Sequence, residues 1–453
     1  MTRSHHVSLL CRFIVRPPHL DFQFLSPPSR SVSKPPHTCS LRACPDNARM
    51  ARSTASHAAP HDASLVFWLS VCQLISWGSV FYGFAVFLGP VEQALQMGRA
   101  ESSLAFSLAL LAEGLMAFAI GRWIDQGHER AVMTLGSLCM GLALWLHGLV
   151  QHTLAFYAVW VLLGVGMAAT LYTPVFAVVT RRFPTDFRRA IITMTFLGGL
   201  ASTVFIPLMA WLIDALGWRH ALWVLAALHW LVCAPLHALL LKHAPKASLR
   251  VQGEAEAEPL ARYLREPTFW LLGVFVVMLM GVTSALPPHM VSLLRESGLS
   301  ETWAIAIPAS IGILQVLGRL WLYVYERRLD VHQANRWIPC LIPLGLLILM
   351  ASNGHLAGAL LFVLLYGVGN GLLTIVKGTA MAEYVSRAHM GSLNGALGLP
   401  LAISRASAPL IMGLLWSAEA GYSLGLAVLL LAGLVGVAAL WWAQARALRQ
   451  RRQ

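Results

Sequence analysis

The chain has 453 residues and a formal net charge of +13, with 57% hydrophobic residues, only 12% charged residues and a mean hydropathy of +0.65. A soluble chain carries about twice that charged fraction, so a water-soluble enzyme is excluded as the default and lipid is the expected solvent. The basic excess sits in short clusters between long apolar runs, with no interleaved aromatic platform, so it reads as a topology signal and not as a nucleic-acid interface.

Residues 1–64 are rich in Ser, Pro, His and Arg, hold three acids (Asp21, Asp46, Asp62) and show no helical period, so they cannot bury a core. Three readings stand for them: a disordered cytoplasmic extension, a basic transit peptide, or a start codon placed upstream of the true one. Met50 opens a short polar leader, MARSTASHAAPHDAS, that runs directly into the first apolar stretch, and the third reading is the expected one. Of seven Cys, four (Cys72, Cys139, Cys233, Cys340) lie inside apolar runs without CxxC or metal-ligand spacing. No disulfide framework, metal site or cofactor is expected.

Apolar runs long enough to cross a bilayer, which takes roughly 20 residues, follow at 65–91, 101–122, 131–150, 153–180, 190–213, 219–241, 268–294, 301–323, 334–352, 355–383, 391–416 and 421–444. Twelve runs place both termini on one side. With the termini in the cytoplasm, the inner connections hold Arg181, Arg182, Arg188, Arg189, Arg327 and Arg328, whereas the outer ones hold Arg99, Arg219 and Arg295. The positive-inside rule therefore predicts a multi-pass protein of a bacterial inner membrane with cytoplasmic termini. The predicted fold class is an all-α membrane protein with twelve transmembrane helices in two six-helix bundles, 65–241 and 268–444. A cytoplasmic linker at 242–267, with Pro245, Gly253 and the acids Glu254, Glu256 and Glu258, joins them, and a basic tail at 445–453 ends the chain.

The two bundles match in order along the chain. Phe67-Trp68-Leu69 lies over Phe269-Trp270-Leu271, Gly121-Arg122 over Gly318-Arg319, Gly164-Val165-Gly166 over Gly367-Val368-Gly369, and Pro207-Leu208 over Pro409-Leu410. Four matches at nearly one offset argue for an internal duplication, and two parallel repeats make a transporter architecture.

These residues resemble the major facilitator superfamily over about 65–444. The segment after the second run, GRWIDQGHER, is similar to the family's GxxxDRxGRR at Gly121, Asp125 and Arg130, with Gln126 and Glu129 in place of basic residues and Gly127 one position early. The resemblance implies a conformational latch in which Asp125 and Arg130 engage the other half, and Arg319 is counted with them as a gating residue. Drug-exporter signatures are absent: the fifth run has Gly198-Gly199 and Pro207 but no GxxxGPxxGG, and Trp160 stands where those antiporters carry Arg. The pattern looks instead like the monocarboxylate and oxalate/formate branch, through the glycine-rich Tyr366–Gly371, the Gly318-Arg319 pair and a cation in the eleventh run. Gln315 replaces the Asp that monocarboxylate carriers place four residues before that Arg, so its proton-linked role does not carry over.

Charges inside the runs cost about 2.5–3.5 kcal/mol each on insertion scales, so each needs a partner or a purpose. Arg405 lies fourteen residues into its run, too deep to snorkel, and is the leading candidate for an anion contact. Glu113 is similarly deep in the second run, and the family's fold brings those two helices together. A carboxylate that loses its cation in low dielectric gains affinity for a proton, so a pair that parts between access states would couple protons to transport. Lys377 is a second candidate cation or an interfacial anchor, and His289, which follows Pro287-Pro288, is a candidate titratable contact or, the favoured reading, a satisfied structural His. Gln73, Tyr82, Tyr172, Gln315 and Asn370 lie on helices that line the family's cavity and are candidate substrate contacts, each also suited to an interhelical hydrogen bond. Gly164 and Gly166 offer small-residue faces for close helix approach.

The expected function is secondary transport of a small organic anion such as a monocarboxylate, by proton-coupled symport, in a monomer whose partners are the solute, protons and the lipid bilayer. Export of a toxic or amphipathic compound is the alternative within the class, and a non-transporting sensor the alternative outside it. No catalytic motif and no GxxxxGK[ST] loop is present, so neither an enzyme nor an ATP-driven pump is expected.

Overall fold

The computed structural model describes residues 60–183, 187–242, 260–325, 329–352, 354–386, 393 and 396–451. Eleven helices are long and apolar enough to cross a membrane: α1 (Ser64–Leu95), α2 (Arg99–Ile124), α3 (Glu129–His147), α4 (Thr153–Arg182), α5 (Thr193–Leu216), α6 (Trp218–Leu240), α7 (Pro267–Glu296), α8 (Glu301–Leu322), α9 (Val331–Ala351), α10 (Leu356–Lys377) and α12 (Ser423–Gln450). Between the last two lies α11, shorter at Gly398–Leu414, with Gly391 and Gly395 of its predicted run outside the described residues. Successive helices leave two opposite faces, here called the Arg99 face and the Arg130 face.

The molecule is an all-α membrane protein. Large apolar side chains stand exposed around it, Leu154, Leu231, Leu431 and Trp442 among them, a surface that water would oppose and lipid tolerates. The four most enclosed long spans are α1, α4, α7 and α10, at 78%, 61%, 61% and 56% buried. One helix in every three therefore lines the centre. One apolar core draws on residues from Phe269 to Ala447, and two others draw on Val66 to Leu241 with Ala309 and Ala406 added.

The repeated glycines of α4 and α10 pack alike in the two sets of six helices. A side chain at Gly164 would run into the α2 backbone at Ala109, and one at Gly367 into Leu314 of α8. Gly166 likewise meets Met140 of α3, as Gly369 meets Leu341 and Ile342 of α9. Absence of a Cβ is what lets these helices approach.

Three irregularities shape the centre. α1 loosens into a π-turn at Trp77–Tyr82. α4 is broken at Leu171, whose ψ of −164° is extended, and Pro174 follows it. α5 bends at Leu200, where the amide bonds three residues back to Leu197 at 3.0 Å.

Candidate functional site

The first and last six helices meet along α2 with α11, α5 with α8, and the second part of α1 with α7. The α2–α11 seam is a ladder. Ser103 packs on Gly413, Ser107 Oγ accepts the Leu410 amide at 3.1 Å, and Gly114 receives Ala402. The α5–α8 seam mirrors it: Thr203 Oγ1 donates to the Ala309 carbonyl at 2.6 Å and accepts the Ile313 amide at 3.2 Å, inserting into one rung of α8. Beyond Gly114 towards the Arg130 face the first seam opens, with Leu115, Phe118 and Leu399 exposed.

The Arg99 face is closed by a charged knot. Arg99 Nε lies 2.9 Å from Glu92 Oε1, its Nη2 3.2 Å from Glu296 Oε1, and its Nη1 donates to the Tyr422 hydroxyl. The guanidinium also covers the Trp416 and Tyr422 rings, with centroids at 5.3 and 5.6 Å, and Trp416 Nε1 donates to Glu296 Oε2 at 2.8 Å. Burial raises the Tyr422 phenol above its ordinary range, with Arg99 pulling the other way. His289 is fully buried beneath this knot, its Nε2 3.0 Å from the Pro409 carbonyl and its Nδ1 3.2 Å from the Tyr422 hydroxyl. A proton on Nε2 satisfies the carbonyl and leaves Nδ1 to accept from Tyr422. The sequence singles out Arg99 only as an outer-loop charge; its partners lie up to 323 positions away, and no local pattern signals them.

On the other side of the seams a cavity of about 470 Å³ opens between α4 and α5 on one hand and α8, α9 and α10 on the other. Arg319 lines it. Its Nε donates to the Gly371 carbonyl at 3.1 Å and its Nη1 to the Thr195 carbonyl at 2.9 Å, so the side chain bridges α5 and α10. Among the described residues it has no carboxylate partner. Tyr82 and Tyr172 are its electrostatic neighbours, and the Tyr82 hydroxyl bonds Gln315 one turn along α8. The Tyr172 ring lies 4.9 Å from Trp77 and stacks on Phe176 at 5.1 Å, while its hydroxyl presses on Gly198.

Arg405 stands differently. Its Nη2 meets Glu113 Oε2 at 3.3 Å across the α2–α11 seam, near the innermost contact of that ladder. The guanidinium is 28% exposed and the carboxylate 11%. Lys377 on α10 is close enough to Arg405 for their charges to repel and has no ion pair among the described residues. Asn370, half-buried on α10, likewise has no side-chain partner among them.

The remaining candidates fall away from the cavity. Gln73 is buried between α1 and α4, where Nε2 donates to the Thr170 carbonyl at 2.5 Å. Arg130 Nε donates to the Ala238 carbonyl of α6 at 2.7 Å, a contact among the first six helices. Glu129, which takes a basic residue's place in the loop motif, is fully buried and paired with Arg182. α2 runs to Asp125, whose side chain lies outside the described residues.

A model of the Major Facilitator Superfamily matches residues 68–352. An uncharacterized MFS-type transporter of Bacillus subtilis (strain 168), YcxA, is 23% identical over 265 residues, which are 55% of this chain and 62% of that protein. The match thus spans less than two thirds of that relative. Among solved structures, a bacterial homologue of the human lysosomal transporter Spinster, inward-facing and unoccupied, superposes with a TM-score of 0.69 at 16% identity, over 86% of this chain and 98% of its own. The nucleoside transporter NupG does so with a TM-score of 0.64 at 16% identity, over 85% and 99%. At these identities both show likeness of fold.

Proposed function

The chain belongs to the major facilitator superfamily, and from that premise we propose that it is a secondary transporter of a small organic anion, a monocarboxylate type of solute. One observation carries this reading: Arg319 lines the cavity between the two sets of six helices and gives two of its five N–H donors to backbone carbonyls, with no acid beside it among the described residues. Hydrogen bonds to carbonyls orient a guanidinium without cancelling its charge, and a planar fork of donors suits a carboxylate. Lys377 adds a second positive charge on α10, beside Arg405. Arg405, held by Glu113, is neutralised in this state, so the anion contact passes from Arg405 to Arg319.

Transport follows from the asymmetry of the seams. The Arg99 face is closed and the opposite side open, which fits one access state of two rocking bundles, 65–241 and 268–444. Opening the other way requires the Arg99 knot to part and the inner ends of α2 and α11 to close. The Glu113–Arg405 pair sits where that closure changes its surroundings, and there a carboxylate leaving its cation takes up a proton, giving symport. The lysine and arginine bias supports a cell-membrane protein with the Arg130 face and both termini towards the cytoplasm. One chain supplies both walls of the cavity, and a monomer suffices.

The test is counterflow in proteoliposomes with a panel of radiolabelled carboxylates. Wild type exchanges at least one of them, and Arg319→Gln lowers that exchange tenfold or more; equal exchange by the variant refutes the site. Saturable binding by wild type without any exchange favours the sensor reading over the carrier. Glu113→Gln is expected to retain exchange and lose its pH dependence, and a variant that keeps that dependence removes Glu113 from coupling.

A further inference from the structure

The cavity that holds Arg319 has one charged end and a largely apolar wall. Phe176, Phe196, Leu322, Ile338 and Val376 supply much of that wall. Its polar members are committed to the protein: Thr374 Oγ1 donates to the Gly371 carbonyl at 2.9 Å, and Asn335 Nδ2 points to the Tyr384 hydroxyl at 3.5 Å. A second carboxylate or a row of hydroxyls would therefore enter without partners. The cavity is also roomy, about 470 Å³, and its wall continues from Arg319 past Leu322 to Val331, Ala334 and Ile338 on α9. A short hydrophilic acid on Arg319 would leave much of that volume, and the apolar wall, unfilled.

We propose that the solute is an amphipathic monoanion, a carboxylate carrying a medium-length alkyl or aryl body, with its head on Arg319 and its body along α8 and α9. This rests on Arg319 being the anion contact. Apolar burial gives the proposal a slope: each methylene sheltered by the wall improves binding about fourfold, which is ~0.8 kcal/mol at 1.36 kcal/mol per decade. A ligand with a second charge at the far end loses that gain, because its desolvated group finds no partner.

The full chain in lipid nanodiscs is titrated with butanoate, hexanoate, octanoate and decanoate, with the matching n-alcohols, and with the eight-carbon dicarboxylate suberate, reading Kd from thermal stabilisation. Kd is expected to fall about fourfold per methylene along the monocarboxylates. Suberate is expected to bind at least tenfold more weakly than octanoate. Leu322→Ser, or Val331→Ser should the first not fold, is expected to flatten the slope, whereas Arg319→Gln weakens every carboxylate to the level of its alcohol and keeps the slope. A flat series in wild type overturns the amphipathic reading and leaves the anion reading standing. A slope unchanged in both wall variants also overturns it, since the dependence then comes from partition into lipid. Alcohols that match carboxylates in wild type overturn the anion reading beneath it.

Discussion

Pro174 has no amide hydrogen, so it cannot complete the helical bond to the carbonyl four residues back, and Leu171 between them is extended. The Thr170 carbonyl that this leaves is buried, and Gln73 answers it from α1 at 2.5 Å. The amide thus does backbone repair in the middle of a membrane protein, where water cannot. Gln73→Leu is expected to cost about 1–3 kcal/mol of stability, the usual penalty for a buried acceptor left unmade, measured as a loss of thermal stability in nanodiscs. Pro174→Ala, which returns a donor to that turn, recovers part of the loss in the double variant. Were Gln73→Leu to keep its stability and lose transport, Gln73 would belong with the substrate contacts instead. Arg319 and Arg405 present the same contrast between two kinds of partner. Arg405 faces a carboxylate and its charge is matched in place, while Arg319 faces carbonyl dipoles that leave its charge uncancelled.

At the level of helices, hydropathy suffices to find twelve apolar runs, because lipid demands length and composition and little else. The duplicated glycines are legible for the same reason: Gly164 and Gly367 recur at one offset, and both are pressed against the neighbouring helix, Ala109 in one case and Leu314 in the other. Gly164→Val and Gly367→Val are accordingly expected to destabilise by about 1–3 kcal/mol each, as overpacking does. Gly121→Ala, with nothing within 4 Å of the new Cβ, is expected to leave thermal stability unchanged. Equal behaviour of all three variants would mean that the close approaches do not hold these helices together. What stayed out of reach of the sequence is the pairing between distant elements. Arg405 and Glu113 could be matched by depth along their runs, but nothing near residue 319 shows that its guanidinium bonds two backbone carbonyls there. Arg99 is similarly opaque, because Glu296 and Tyr422 come to it from the other six helices. The loop motif invites Arg130 into a contact with the second half, yet it reaches Ala238 of α6 in this state, and motif resemblance alone carries no information on which access state is occupied.

For the molecule as a whole, the proposed transport cycle makes the balance between access states depend on how strongly the Arg99 face is held shut. Arg99 joins Glu92 of α1 to Glu296 of α7 and to Tyr422 before α12, so the knot crosses between the two sets of helices and must break before that face opens. Hydrogen bonds to charged groups contribute about 1.5–3 kcal/mol each, and such a loss shifts a two-state equilibrium about tenfold or more. Glu296→Gln removes the charge that Arg99 meets across the seam while leaving Glu92 to neutralise it, which keeps the cost to folding small. The variant is expected to favour the state open at the Arg99 face. Ser103, fully buried beneath the knot, is the reporter: as Ser103→Cys in a background without other cysteines, it is expected to react with a membrane-impermeant maleimide at least tenfold faster when Glu296→Gln is added. On the proposed transport cycle, exchange by the double variant should slow at the same time, because a carrier biased to one face returns less often to the other. An unchanged labelling rate would show that the knot is a surface ornament, and that the apolar ladder of α2 on α11 holds the face closed without it.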